Sequence, residues 1–278
     1  MSLVVQRRMA VRAGVAGTAV AGLWLAVVAA AALAPDLVAP FDPLATDPRS
    51  ALAAPSAEHL FGTDQAGRDL FSRVVHGARY SLVVGLGATA LALALGTVWG
   101  VLSGLAPSAA DSVLSRVIVV GMAFPEFLLA LIVVAVLGPG ESSLLVALAI
   151  AAAPAYARVA RSRTLTVRTS GYVRSSVALG TSPLRTAVRH VVPNTLGPLG
   201  VMALIGVGTA IVSAAGLSFL GLGPSAPTPE WGVILADGRN VLATAWWVAV
   251  FPGLAITATV VATSVVGRRL RVWAGDAA

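Results

Sequence analysis

Residues 80–110 read YSLVVGLGATALALALGTVWGVLSGLAPSAA, with no charged side chain between Arg79 and Asp111. A helix needs about 20 apolar residues to cross the hydrocarbon core of a bilayer, and residues 80–104 satisfy this. Five other stretches satisfy it or nearly do. They are residues 13–34, 116–137, 142–160, 195–221 and 246–267. We therefore predict an all-α, polytopic membrane protein with about six transmembrane helices.

The composition agrees with membrane insertion. Hydrophobic residues make up 57% of the 278 positions and charged residues 11%, against about 25% charged residues in soluble domains. Mean hydropathy is +0.88. The first span follows Arg7, Arg8 and Arg12 and could be a signal peptide. It is longer than the roughly 7–15 residues of a signal-peptide apolar region, which favours a retained helix.

Arginine placement predicts the orientation. The net charge is +7, and all 19 basic residues are Arg. If the N-terminus is cytoplasmic, fourteen of them lie inside. The outside holds Arg49, Arg68, Arg73, Arg79 and Arg239. This is the positive-inside pattern, so we expect a multi-pass cell-membrane protein with both termini cytoplasmic, and the charge needs no nucleic-acid partner.

Missing residue types exclude several kinds of site. The chain has no Cys and no Lys, which removes thiolate catalysis, disulfides and the lysine of a P-loop. Its three histidines, His59, His76 and His190, lie outside the centres of the spans. We therefore expect no catalytic residue, no metal site and no cofactor in this chain. If transport uses ATP, another chain binds ATP and Mg²⁺.

The inside connection of about residues 161–194 contains the most informative sequence. Two short helices fit, at about residues 172–179 and 183–192. Gly180 suits a C-cap, and Thr181 or Ser182 suits an N-cap with Pro183 at the first helical position. Val177, Leu184 and Val188 are expected to share an apolar face. Pro193 begins the next span.

This connection resembles the EAA loop of ABC-importer permeases. Gly180 and Pro193 stand at the family's spacing, and His190-Val-Val-Pro193-Asn is typical of the peptide branch. Further motifs of that branch follow the same order. They are FGTDQAGRD (61–69), AFP (123–125), LSFLGLG (217–223) and PEWG (229–232). The chain is thus identified as similar to dipeptide/oligopeptide permeases, as the C-type subunit.

The resemblance implies a type I ABC-importer permease fold and a function. The chain would be a non-catalytic subunit that forms half of a path for di- or oligopeptides. It would pair with a homologous second permease, two ATPase subunits and an external substrate-binding protein. Residues 1–35 would hold the N-terminus and first span, residues 36–79 an external linker and interfacial helix, and residues 80–278 a five-helix core. The direction of transport rests on the resemblance.

One position departs from the family pattern. The residues implied to contact the ATPase are Arg174, Ser175, Ser176, Gly180, Ser182, Pro183, His190 and Pro193. The first three replace Glu-Ala-Ala, so a basic residue stands where the family has an acidic one. This favours a compensating change on the partner ATPase. The alternative is that Arg174 is simply one of the inside arginines.

Glu126 is the acidic residue placed well inside a span. Intramembrane ionisable groups are costly and usually face a cavity, and Pro125 can kink the span. Glu126 could line the translocation path and meet a peptide ammonium group, or it could be a protonated helix-packing residue.

The outside segments offer a receptor-docking hypothesis. Residues 64–79 are predicted to form an amphipathic interfacial helix capped by Asp64, with Leu70, Val74 and Val75 on its apolar face and its arginines on the other. Candidate docking residues are Asp64, Arg68, Asp69, Asp237 and Arg239. The alternatives are a packing brace for residues 64–79 and a solvated, salt-bridged loop around residue 237.

Other functions remain open. A permease for nickel or another small solute would have the same motifs. An ion-coupled secondary transporter needs inverted repeats or paired broken helices, and a membrane enzyme needs a nucleophile and base. The sequence shows neither the repeats or paired broken helices of such a transporter nor the nucleophile and base of such an enzyme.

Overall fold

The computed structural model describes residues 2–276, and the side chains of residues 15–272, and the regular secondary structure within them is helical. The helices are α1 (Ser2–Leu33), α2 (Pro35–Val38), a 3-10 turn (Pro48–Ser50), α3 (Leu70–Leu105), α4 (Ser108–Ala123), α5 (Glu126–Leu137), α6 (Glu141–Arg168), α7 (Gly171–Ala178), α8 (Pro183–Thr186), a π-helical turn (Ala187–Val191), α9 (Val192–Phe219), α10 (Trp231–Arg239) and α11 (Trp247–Asp276). This confirms the all-α prediction.

The number of membrane crossings agrees with the prediction. Five helical segments are each long and apolar enough to span a bilayer: Val15–Leu33, Leu70–Leu105, Glu141–Arg168, Pro183–Phe219 and Trp247–Val272. The pair α4 and α5, whose axes meet at 93°, is together long and apolar enough for a further crossing. Counted as one broken span, this pair brings the described part of the chain to six crossings.

Successive crossings place the connections at two ends of the bundle. The arginine-rich end comprises the α3–α4 turn (residues 106–107), residues 169–191 and the last turns of α11. The opposite end comprises residues 34–69, 138–140 and 220–246. Two connections of the opposite end touch where the Gly140 N–H donates to the carbonyl of Leu222 over 3.4 Å.

The predicted interfacial helix over residues 64–79 is wrong. Residues 70–79 are the first turns of α3, and residues 64–69 are a loop. The cap is Asp69, whose side chain accepts the N–H of Ser72 over 2.8 Å. Asp64 instead closes its own turn by accepting the N–H of Ala66. The cap at Asp69 starts the helix. Because no proline interrupts residues 70–105, the helix then continues unbroken across the membrane span.

A glycine stripe sets the distance between α3 and α6. Gly96, Gly100 and Gly104 recur every four residues and share one face of α3. A Cβ on Gly96 would lie 2.7 Å from the carbonyl oxygen of Ala153, and one on Gly104 would lie 2.6 Å from Cγ2 of Thr164. Small residues let helix backbones approach closely in a membrane, and these glycines pack within the chain.

Candidate functional site

The predicted coupling segment begins with α7, and Gly180 ends it as expected. Gly180 has φ +82° and donates its N–H to the carbonyl of Val177 over 2.9 Å. Thr181 donates its N–H to the carbonyl of Ser176 over 3.2 Å. These two bonds form a Schellman motif, and glycine adopts its left-handed backbone at little cost. The chain therefore turns sharply after α7.

The second helix of the segment starts as expected but differs in form. Ser182 accepts the N–H of Arg185 over 3.4 Å, with Pro183 at the first helical positions. One α-helical turn then gives way to a π-helical turn, in which the Val192 N–H donates to the carbonyl of Ala187. The helix predicted over residues 183–192 is therefore present, but it is π-helical over residues 187–191 and continues into α9 instead of ending.

Pro193 explains the π-helical turn. Proline has no N–H, and its ring crowds the carbonyl four residues earlier, which here belongs to Arg189. A wider turn relieves that contact, and π-helical turns recur at functional sites. The backbone remains helical through it, so residues 183–191 are joined directly to α9.

Apolar side chains of this segment face outward. Leu179 is 86% exposed and Leu184 is 76% exposed. We call the outward face the coupling surface. It comprises Arg174, Val177, Leu179, Leu184, Arg185, Val188 and Arg189. Exposed apolar patches with a polar rim typify interaction sites, so this end of the molecule is suited to bind another protein.

The inner side of the same segment is anchored. Val173 and Val191 are buried, and the rings of Tyr172 and His190 lie 6.3 Å apart. The predicted contact residues divide accordingly. Arg174, Ser175, Gly180, Ser182, Pro183 and Pro193 are exposed, whereas Ser176 and His190 are half-buried. The structure thus brings these residues onto one projecting segment.

A cavity of about 180 Å³ lies between α3, α5, α6 and α9. Its lining residues are Ala88, Thr89, Glu126, Leu148, Ala152, Ala155, Tyr156, Met202, Ile205, Gly206, Thr209, Ala210 and Arg271. Most are small or apolar, with one carboxylate and one guanidinium. Arg271, from the last turns of α11, was not predicted to be a path residue.

Glu126 reaches this cavity because of Pro125. Phe124 and Pro125 are extended, with ψ of 137° and 126°, as expected for proline and the residue before it. The predicted kink is therefore a break of 93°. Glu126 is exposed and has no hydrogen bond or ion pair within the described residues. This placement favours the path hypothesis over the packing alternative.

The predicted docking residues at the opposite end are mostly enclosed. Asp64 binds Nε of Arg68 over 2.7 Å, and Asp69 binds Nδ1 of His59 over 2.9 Å. Both carboxylates are at most 3% exposed. These contacts favour the packing-brace alternative. Arg239 is exposed, with its guanidinium 5.4 Å from the centroid of the Phe219 ring.

Arg73 lies at the centre of these packing contacts at the opposite end of the bundle, although the sequence predicted it on the polar face of the helix. Its side chain is fully enclosed. Nη1 donates to the carbonyls of Pro43 and Pro227, and Nη2 lies 4.0 Å from Asp237. The signal that could have located it is the apolar run around it, residues 70–75, since an arginine within a buried helical face needs a carboxylate partner.

Burial raises the pKa of two carboxyl groups at this end of the bundle. Glu230 caps α10 by accepting the N–H of Val233 over 3.0 Å, and burial raises its pKa. Burial also raises the pKa of Asp237, which the nearby Arg73 partly opposes. Both shifts follow from the cost of removing a carboxylate from water.

Comparisons with known proteins agree with this architecture. Residues 96–274 match the family of binding-protein-dependent transport system inner membrane components. The chain is 42% identical over 242 residues to the dipeptide transport system permease protein DppC of Alkalihalophilus pseudofirmus, covering 84% of this chain and 80% of the relative. It is 40% identical over 255 residues to the di/tripeptide permease protein DppC of Pseudomonas aeruginosa, covering 90% and 84%.

A solved structure has the same fold. A chain of the MetNI methionine ABC transporter superposes with a TM-score of 0.59 at 20% identity, covering 72% of this chain and 95% of that one. The family match over residues 96–274 extends from the last turns of α3 into the last turn of α11, and includes the coupling segment and most of the cavity-lining residues. The chain therefore belongs to the family of inner membrane components of binding-protein-dependent transport systems, as a multi-pass permease subunit.

Proposed function

We propose that this chain is half of the translocation path of an ATP-driven peptide importer. The observation that carries the proposal is that α9 joins the coupling surface to the cavity. Residues 183–191 lead into α9 without a helical break, and Met202, Ile205, Gly206, Thr209 and Ala210 of α9 line the cavity. A displacement of the coupling surface therefore acts on the cavity wall through one helix.

The coupling surface would bind an ATPase subunit at the cytoplasmic face. Orientation follows from the arginines, which favour the cytoplasmic side, so the arginine-rich end and both termini would face the cytoplasm. Two ATPase subunits would bind ATP and Mg²⁺, and this chain would contribute no chemical step. An external binding protein would deliver substrate at the opposite end.

A second, homologous permease would complete the path. The cavity measures about 180 Å³, below the roughly 300–1,000 Å³ typical of small-molecule pockets. It is therefore too small for a peptide unless another chain contributes to it. The resemblance to the two-permease peptide family implies that the two permeases form a heterodimer.

Peptides fit the charges of the cavity better than nickel does. Glu126 could accept a peptide ammonium group, and Arg271 could meet a carboxylate. The chain has no Cys, and no His is among the cavity-lining residues in the described part of the chain, whereas imidazole suits nickel well. We therefore propose short zwitterionic peptides as substrate.

Arg174 would select the cognate ATPase. Its side chain is exposed on α7, so an acidic residue in the ATPase groove can pair with it. Binding of cognate and foreign ATPases to the permease should be compared for the wild type and for Arg174→Glu. We expect the variant to lose affinity for the cognate ATPase. Unchanged binding to both ATPases would reject this selectivity.

The test of the whole proposal is uptake by the reconstituted complex. Liposomes holding this chain, its co-expressed permease and ATPases should accumulate a radiolabelled alanine dipeptide only with ATP and binding protein. Leu184→Asp should abolish uptake, because it places a carboxylate in the apolar part of the coupling surface. Leu44→Asp is the matched control, since Leu44 is an exposed leucine at the opposite end. Uptake that survives Leu184→Asp would contradict the proposal.

A further inference from the structure

An ion pair joins α4 to α6 at the arginine-rich end. Arg161 of α6 donates from Nε to Oδ1 of Asp111 over 2.6 Å and from Nη2 to Oδ2 over 2.7 Å. Two parallel hydrogen bonds of this kind fix orientation as well as distance. Asp111 belongs to the first turn of α4, so the pair holds the start of that helix against α6.

Two further contacts fix the same place. The Ser103 hydroxyl donates to Oδ1 of Asp111 over 2.7 Å, and Arg168 donates from Nη1 to the carbonyl of Gly104 over 2.6 Å. Ser103 and Gly104 lie in the last turn of α3, and Arg168 ends α6 three residues before α7 begins. The ends of α3, α4 and α6 are therefore joined beside the coupling segment.

Beyond this junction α4 is weakly held. Ile118 is its only buried residue among those the structure describes, and the helix meets α6 again where Gly121 faces Pro154. It then ends at the 93° break that positions Glu126 at the cavity. A helix with so few buried side chains depends on the contacts at its ends for its position.

We infer that Asp111 and Arg161 are positioning residues for the cavity. Through this ion pair, a displacement of α7 passes along α6 to α4 and so to Glu126 in the wall of the cavity. This inference rests on the proposed coupling to an ATPase. It adds a second route, through α6 and α4, to the direct route through α9. The pair acts by holding α4 to the moving end of α6, and it contacts neither substrate nor nucleotide.

The test measures dipeptide transported per ATP hydrolysed in the reconstituted complex. Asp111→Asn and Arg161→Gln should each lower this ratio roughly fivefold, as expected from losing a partly exposed ion pair, while complex assembly and the ATPase rate remain. The exchanged pair, Asp111→Arg with Arg161→Asp, should restore most of the ratio. Arg163→Ala is the matched control on α6, since Arg163 is exposed and has no ion pair within the described residues.

The outcomes separate this inference from the proposed function. Wild-type complex without ATP-dependent uptake would overturn the proposed function itself. With wild-type uptake intact, single variants that keep the ratio within about twofold would overturn the inference. An exchanged pair no better than the single variants would also overturn it, because a pair that acts through its charges must tolerate their exchange.

Discussion

Nε of Arg73 lies 3.4 Å from Oδ2 of Asp64, and neither side chain is more than 3% exposed. The contact joins the first turns of α3 to the connection over residues 34–69. Nε and Nη2 of Arg73 form no hydrogen bond within the described residues, so the guanidinium depends on nearby carboxylates for its compensation. The opposite end of the bundle is thus assembled around a buried charge.

The first prediction follows from that dependence. Asp64→Asn keeps the oxygen that accepts the N–H of Ala66 but removes the charge facing Arg73. Breaking a buried pair from one side costs about 3–5 kcal/mol, so the free energy of unfolding should fall by roughly 3 kcal/mol. Thermal unfolding in detergent measures this. Glu58→Gln is the control, since Glu58 is exposed on the same connection, and an equal loss in both variants would contradict the explanation.

The second prediction concerns pH. Burial raises the pKa of Glu230 above its ordinary value near 4.5, so the folded protein binds this proton more tightly than the unfolded chain does. Its contribution to stability is full below about pH 4.5 and is lost as pH rises through the folded pKa. Glu230→Gln should therefore flatten the decline in melting temperature from acidic to neutral pH.

The wild type supplies the reference slope for that measurement, and Glu58→Gln should retain it. If Glu230→Gln left the pH dependence unchanged, burial of Glu230 would not be its source. Glutamine keeps an oxygen that can accept the N–H of Val233, so the cap of α10 should survive the substitution.

The third prediction tests the glycine stripe. A Cβ on Gly100 would lie 2.6 Å from Cβ of Ala160, on a helix that cannot move away without opening the α3–α6 contact. Overpacking of this kind costs about 1–3 kcal/mol, so Gly100→Ala should lower the melting temperature. Gly200→Ala on α9 is the matched control, because a Cβ there meets nothing within 4 Å. Equal tolerance of both would argue against close packing.

The fourth prediction concerns the π-helical turn. Pro193→Ala provides an N–H that can bond to the carbonyl of Arg189, so the turn should relax to α-helix. An α-helical turn contains about one residue fewer than a π-helical turn, so the residues before it would rotate by roughly 100° relative to α9. Leu184 and Val188 would then point away from their present direction. We expect weaker ATPase binding with an unchanged melting temperature. A variant structure that retains the π-helical turn would show that Pro193 is not its cause.

Much of the candidate site could be predicted because its signals are local. Gly180 ends α7 through its own left-handed backbone conformation. Ser182 starts α8 by accepting a hydrogen bond from the backbone three residues later, and Pro183 does so through its fixed backbone angle. Pro125 bends its span for the same reason. The π-helical turn was missed because the response to Pro193 depends on how the helix on each side is held.

The sequence alone determined the number of crossings and the composition of each end, because the cost of burying charge in lipid depends on residue type and length. Only the tertiary structure decided which charges meet. Arg161 lies 50 residues from Asp111, and Arg73 lies more than 150 residues from Asp237. Such pairs form only when packing brings distant helices together. Glu126 likewise lines the cavity because the break at Pro125 and the surrounding helices bring it there, and its carboxylate has no partner within the described residues.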